Sequence, residues 1–376
     1  MRKKILFVIP EYIHGGTNKS LENLISFIDK TKYDISVISV FEYGSGYYKN
    51  LFKPFIIKKS LLYYFSHDNY ITRKIVGFGM KMFGIKNWAW LFKKECRYLQ
   101  NKYNFNTVVA YQEGYPTRFV SHFEGINKVA WFHSPHMSLK KNRERDLKYY
   151  STYNHIVCVS DCITNCFKEM FPSLKDRTIS IHNTLNQDFI RRMGEEQIDD
   201  EKFDTDVFTL TSVGRFSGIK RFHLIPEIAN KIMQYGKGKP FKWYIIASGD
   251  QFYQKTIDKI NEYHLENIVI LLGAKDNPYP YMKKSNLVVC TSDAESFSYV
   301  IAEGKILHTP VVSNNFPVAY EVLDENCGYI SSIDEMPELL YKLINDENGI
   351  YSKVKESIST YEYENEEILK EINSIL

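Results

Sequence analysis

The chain has 376 residues, 44% of them hydrophobic and 25% charged, which is ordinary globular usage and enough length for two domains. No stretch approaches the ~20 apolar residues of a membrane span, the apolar run Ile5 to Ile9 is too short for a signal-peptide core, and six cysteines do not make a disulfide framework. A cytoplasmic protein is expected. The net charge of +3 hides an asymmetry: residues 1–190 carry 28 Lys and Arg against 15 Asp and Glu, while 191–376 carry 20 against 30. Halves of opposite sign are expected to face different partners.

Along the chain, KKILFVIP reads as a first strand, and His14-Gly15-Gly16 as the turn that follows it. Two glycines there let backbone N–H groups approach a phosphate or sugar, and a helix begins at once. Thr17 or Asn18 is expected to cap that helix, because Leu21, Leu24, Ile25 and Ile28 recur at helical spacing. YDISVISVF is the next strand. Residues 51–100 then hold 10 basic and 2 acidic side chains with twelve aromatics interleaved, among them Tyr63, Tyr64, Phe65, Trp88, Trp90 and Phe92. Lys and Arg attract anionic headgroups and Trp and Tyr suit the interface, so this region is expected to meet an anionic membrane surface. No nucleic-acid-binding module accompanies it, and no nucleic-acid partner is expected.

NTVVAYQ, NKVAWFHSP, HIVCVS and TISIHNT follow, each a short apolar, β-branched run ended by a polar or turn residue. Such runs separated by helical patterns indicate a parallel sheet covered on both faces. Trp131-Phe132-His133-Ser134-Pro135-His136 ends one of these strands, Val159-Ser160 another, and His182-Asn183-Thr184 a third. Cys158, Cys162 and Cys166 match no zinc or iron–sulfur spacing and are read as packing. Residues 191–206 are polar and acidic and are assigned as the linker between domains 1–190 and 207–376. Asp204-Thr205-Asp206 has the D-x-D form of a metal site, but it precedes a strand instead of following one. It is read as solvated charge, with no metal and no cofactor expected.

The second half restarts the rhythm with VFTLTSVG, KWYIIASG, NIVILLG, NLVVCTS, TPVVSNN and CGYI. Gly214-Arg215 closes its first strand, and Lys220 follows five residues after Arg215. A guanidinium fork and an ammonium at a strand's carboxyl end suit a diphosphate, because open α/β sheets bind ligands there. After the strand ending at Cys290, Glu295 and Glu303 stand eight residues apart at the start of an apolar helix. At ~1.5 Å per residue they are offset by up to ~12 Å. That is too far for a hydrolase pair at one bond, but suits one carboxylate at a sugar and one at a ribose. A pyrophosphate would lie between them at the helix N-terminus.

The segment Thr291 to Val312 resembles the E-x7-E signature of retaining family-four glycosyltransferases, which have the GT-B architecture of two Rossmann-like parallel-sheet domains facing across a cleft. The resemblance implies donor-sugar contacts for Glu295, with Ser296, Phe297 and Ser298 beside it, and ribose contacts for Glu303. Gly214, Arg215 and Lys220 match the family's G-R-x4-K element, which holds the donor diphosphate. Gly15 and Gly16 match its N-terminal glycine loop, and His133, with His136 second, its histidine near the reaction centre. This chain has Ser296 and Ser298 where the family commonly has Gly, and His308 in place of another Gly. The resemblance further implies that domain 1–190 binds the acceptor, that domain 207–376 binds the nucleotide-sugar, and that the last helix, within 361–376, crosses back to the first domain. The expected activity is hexosyl transfer with retention from a nucleotide-sugar, UDP-linked by preference. The acceptor would be a saccharide or a polyprenyl-diphosphate-linked saccharide in surface polysaccharide assembly, with a phosphate oxygen taking the proton. A GT-B phosphorylase or epimerase, or a non-catalytic partner of another transferase, are the alternatives.

Overall fold

The computed structural model describes residues 2–12, 15–40, 46–57, 89–134, 143–236 and 238–376. The expectations for His14, for Tyr63, Tyr64, Phe65 and Trp88, and for Pro135 and His136 lie outside the described residues. The chain forms two compact units: Met1–Leu185 with Glu364–Leu376, and Asn186–Tyr363. No described helix is long and apolar enough to cross a membrane.

Each unit is built on a six-stranded parallel sheet. The first contains β1 (Lys3–Ile9), β2 (Tyr33–Ser39), β3 (Thr107–Ala110), β4 (Asn127–Phe132), β5 (His155–Cys158) and β6 (Thr178–Ser180), in the order β2-β1-β3-β4-β5-β6. In the second, β7 (Phe208–Arg215), β8 (Phe241–Ser248), β9 (Val269–Gly273), β10 (Leu287–Cys290), β11 (Val311–Asn314) and β12 (Gly328–Ser331) run β12-β11-β10-β7-β8-β9. Strands such as β3 (TVVA) and β10 (LVVC) are buried along their whole length. Helices therefore cover both faces, which is why the sequence shows continuous apolar runs instead of alternation. In each sheet the order reverses once, at β1/β3 and at β7/β10. A crevice outside the carboxyl ends of the strands opens at such a reversal, and ligands of open α/β sheets bind there.

The first core gathers Phe92, Phe119, Phe132, Tyr150, Tyr153 and Phe167 over the first sheet. The second packs Trp243, Leu287, Val312 and Leu340 with the helices Ile225–Gln234 and Met336–Asn345. Trp243 is fully buried and donates its indole N–H to Ser212 Oγ at 3.0 Å, which meets the requirement that a buried donor find a partner.

Two local expectations change, the cap of the first helix and the linker. The helix Gly16–Phe27 starts before Thr17, with Gly15 at its cap and no side-chain cap; Asn18 turns back to donate to Glu11 O at 3.0 Å. Ser160 is buried and caps the helix Asp161–Met170, its Oγ accepting from Ile163 N, so its role is local. Residues 191–206 are not a free linker, since the chain passes between units at Leu185 and Asn186. Ile198 and Phe203 pack on Tyr244 and Tyr281, while Asp200 and Asp204 pair with Lys275 and Lys242, each at 2.7 Å. Two apolar residues and two ion pairs fold this acidic stretch onto the second sheet, which its polar composition conceals. The final helix, Glu366–Ile375, lies in the first unit. Thr107 Oγ1 donates to Leu376 O and Asn127 Nδ2 to Ile375 O, both at 2.8 Å.

Candidate active site

At the β7/β10 reversal two loops are fastened together. Asp293 N donates to Ile219 O at 2.8 Å, Thr291 Oγ1 donates to Lys220 O at 2.7 Å, and Arg221 pairs with Asp293 at 2.9 Å. Between these links Lys220 Nζ donates to Glu295 Oε1 at 2.6 Å. Ser292 Oγ donates to the same carboxylate oxygen at 2.7 Å, and Ser292 O in turn accepts from Asn314 Nδ2 at 2.8 Å. Burial disfavours the Lys220 ammonium, but Glu295, Cys290 and Glu303 outweigh it and raise its pKa, so the cation is secure.

Gly214 is small for a reason visible here: a Cβ would lie 3.2 Å from Phe222 Cζ and 3.3 Å from Lys220 Cε, pressing the ammonium arm off its course. Arg215 ends β7 exposed, and no hydrogen bond or ion pair holds it among the described residues. One cation is thus pre-set by a carboxylate and the other is available to an incoming anion.

The helix Tyr299–Ile306 begins four residues after Glu295, later than the sequence reading placed it, so Glu295 stands on the loop. Glu303 is 3% exposed inside the helix, and Tyr279 Oη donates to its Oε1 at 3.3 Å. Phe297 is 2% exposed and meets Tyr299 edge-on at 5.3 Å, so its ring anchors the turn. Ser298 adopts φ 66°, in the left-handed region, and its buried Oγ has no partner. His308 likewise has φ 55°. Two of the three positions where this chain replaces the family's glycine, Ser298 and His308, therefore carry the backbone conformation that favours glycine. His308 is held in place, its Nε2 lying 3.0 Å from Arg191 Nη2 and 3.0 Å from Tyr361 O.

In the first unit, Ser20 Oγ donates to Asn183 Oδ1 at 2.6 Å and accepts from Tyr111 Oη at 2.8 Å. This buried chain fixes the helix after Gly15 and Gly16 to the ends of β3 and β6. Gly15 itself is extended, and a Cβ there would meet nothing within 4 Å, so the fold leaves open space beside it. His133 follows β4 with its ring 5.0 Å from that of Tyr111 and its Nε2 buried without a partner. Burial pushes its pKa down to about 3, so the imidazole is neutral at physiological pH. Glu113 holds the turn, accepting from His133 N at 3.1 Å and from Ser134 Oγ.

Of the D-x-D pair, the Asp204 carboxylate is engaged locally, accepting from Lys242 and from Asp206 N. Its pKa is lowered by the Lys242 hydrogen bond first and the Asp206 N–H second. Sequence reasoning missed Ser292, Asp293, Tyr279 and Glu113. The only signal was the polar run TSDAES at the end of an apolar strand.

Residues 193–363 match the family model described as glycosyl transferases group 1. An uncharacterized glycosyltransferase of Methanocaldococcus jannaschii is 27% identical over 172 residues, a stretch covering 45% of this chain and 41% of that relative's length. Among solved structures, Anabaena HepE in complex with UDP and glucose is similar at a TM-score of 0.70, with 15% identity over 99% of both chains. A variant of S. aureus TarM in complex with Fondaparinux, α-GlcNAc-glycerol and UDP has a TM-score of 0.70, with 15% identity over 99% of both chains.

Proposed function

From a chain of GT-B fold whose residues 193–363 belong to the glycosyl transferases group 1 family, we propose a metal-independent, retaining glycosyltransferase. It would move a hexose from a UDP-sugar to a saccharide or lipid-linked saccharide in surface polysaccharide biosynthesis. The observation that carries this reading is the Lys220–Glu295 pair beside Arg215 at the β7/β10 reversal, with Glu303 buried on the adjoining helix.

In the proposed step the bond from the sugar's anomeric carbon to the diphosphate oxygen breaks and a bond to the acceptor oxygen forms on the same face. The acceptor's proton passes to the departing diphosphate. Arg215 and Lys220 take up the charge that grows on that leaving group, which is where preorganised cations lower a barrier most. Glu295 orients donor-sugar hydroxyls, with Ser298 Oγ and the backbone around Ser296 and Phe297 beside it. Glu303 holds the ribose. Backbone N–H groups at Gly15 and Gly16 would approach a phosphate or sugar of the donor, and the neutral His133 would stand near the reaction centre. UDP is preferred because both similar structures named above bind it.

The test is thermal unfolding with UDP, GDP, ADP and their sugar conjugates in EDTA. A ligand at about 100 times its dissociation constant stabilises by roughly 2.7 kcal/mol, so selective stabilisation by one UDP-sugar is expected. No stabilisation by any nucleotide-sugar would sink the reading, and stabilisation only without EDTA would overturn metal independence.

A membrane-facing role for the first unit has its own support. The described helix Ala89–Tyr103 exposes Trp90, Lys93, Lys94, Arg97, Tyr98 and Lys102 along one side and buries Leu91, Phe92, Cys96 and Leu99 on the other. Lys94 Nζ lies 4.2 Å from the Trp90 ring centroid. This arrangement favours an anionic lipid surface, and the expected result is flotation with anionic but not neutral liposomes at low salt.

A further inference from the structure

We propose that the second unit carries a binding site for a small amphipathic acid, an apolar body with a single anionic group, at the end of its sheet opposite the candidate active site. A cavity of about 540 Å³ opens there, inside the ~300–1,000 Å³ range of small-molecule sites. It lies where β7, β8 and β9 begin, beside Val207, Phe241 and Ile268, whereas Lys220 and Glu295 lie beyond the opposite ends of β7 and β10. The transfer step proposed above makes no use of it.

The walls are apolar. Ile232 and Met233 come from the helix Ile225–Gln234, Ile344 from the helix Met336–Asn345, and Pro240, Phe241 and Ile268 from the strand starts. The rim is set without a ligand: Asn345 Oδ1 accepts from Lys239 N at 2.9 Å, and its Nδ2 donates to Tyr341 O at 2.8 Å. Gly238 makes this closure possible, since a Cβ there would lie 2.9 Å from Asn345 Nδ2 and 3.2 Å from Tyr341 Cε2. Met233 is 48% exposed where it lines the cavity, so the fold leaves apolar surface there for a ligand to cover.

Charge fixes the sign of the ligand. Residues 231–242 hold four lysines and no acid, within a half whose acidic residues outnumber its basic ones by 30 to 20. Of the two lysines in the lining, Lys242 is taken by Asp204 at 2.7 Å, while the Lys239 ammonium makes no hydrogen bond or ion pair among the described residues. Asp346, the acid near enough to sense Lys239, is already occupied by the N–H groups of Tyr351 and Ser352 and by Ser352 Oγ. The Asn267 amide and the Tyr341 hydroxyl line the same cavity, and neither has a hydrogen-bond partner among the described residues. An ammonium, an amide and a phenol all donate, which suits one carboxylate or sulfonate. The apolar wall suits the body that carries it.

This site does not depend on the glycosyl-transfer reading, and its test needs no turnover. The probes are anilinonaphthalene sulfonate and the uncharged phenylnaphthylamine, titrated by fluorescence against the full chain with and without UDP. One sulfonate per chain is expected to bind, and UDP should not displace it. Met233→Asp is expected to weaken both dyes roughly 10-fold or more, because it sets a charge against the apolar body. Lys239→Glu is expected to weaken the sulfonate roughly 5-fold or more and to leave the uncharged dye unchanged. Both side chains are exposed, so the melting temperature should not move. Displacement by UDP would assign the dye to the nucleotide site and overturn the proposal. No sulfonate binding, or binding that survives both substitutions, would do the same. Equal loss of both dyes in Lys239→Glu would remove the anion selectivity and with it the ligand class.

Discussion

Lys220 and Arg215 carry the same charge to the same proposed ligand, yet their surroundings predict different behaviour on removal. Lys220 is held by Glu295, whose side chain is 17% exposed, so Lys220→Ala leaves a largely enclosed carboxylate without its partner. Arg215 is exposed and unpaired among the described residues, so Arg215→Ala leaves nothing behind. Each loss of a charged hydrogen bond to the leaving group is worth ~1.5–3 kcal/mol, a fall in kcat/KM of roughly 10- to 150-fold. Only Lys220→Ala is expected also to lower the melting temperature of the free protein. Equal melting temperatures for the two variants would show that the pair does not support the loop. Ser298 offers a second residue-scale test. Its left-handed φ costs an L-residue roughly 1–2 kcal/mol, its unpartnered buried hydroxyl ~1–3 kcal/mol more, and glycine returns ~0.5–1 kcal/mol in lost chain entropy. Ser298→Gly should therefore stabilise the free protein by about 1 kcal/mol or more. Ser298→Ala keeps the backbone cost and should gain less. Urea unfolding that ranks alanine above glycine would mean that the left-handed turn is not under strain.

At the scale of elements, the helix Tyr299–Ile306 matters because it is buried all round and packs tightly against the sheet. Gly304 permits this: a Cβ there would lie 2.8 Å from Val311 Cγ2 and 3.4 Å from Val288 Cβ. Gly304→Ala therefore wedges the helix off β11 at ~1–3 kcal/mol, against the ~1 kcal/mol that alanine gains in helix propensity. Because Glu303 is the preceding residue, UDP affinity should fall with stability, and Val311→Ala in the same chain should restore part of both. A double variant no better than the single one would place the clash elsewhere. This helix also shows what the sequence made legible. Its apolar run, and the strands on either side of it, follow from burial on both faces, and the position of Lys220 and Glu295 at strand ends is readable from spacing alone. Their direct pairing is not, because it depends on Thr291 and Asp293 joining two loops 71 residues apart and on Ser292 holding Glu295 within one of them. Nor was the folding of 191–206 onto the second sheet readable, since ion pairs to Lys242 and Lys275 make acidic residues structural without leaving a periodic pattern.

The whole molecule is organised by a chain that leaves the first unit at Leu185 and returns at Glu364 to finish it. Ile372, Ile375 and Leu376 are buried there, and the last two carbonyls accept from Asn127 and Thr107 at the edge of β3 and β4. Removing residues 364–376 would remove these three buried apolar side chains, each worth ~1.5–3 kcal/mol when fully buried, and would leave the buried Thr107 hydroxyl short of its acceptor. That sum rivals the ~5–15 kcal/mol that holds a typical domain together. The second unit, Asn186–Tyr363, keeps its own sheet and core. Truncation should therefore abolish amide-exchange protection in β3 and β4 while protection in β7, β8 and β10 persists, and UDP should still raise protection at β7 and β10. Undiminished protection in β3 would show that the first unit is complete without its returning helix. Loss across both sheets would show instead that the two units unfold as one.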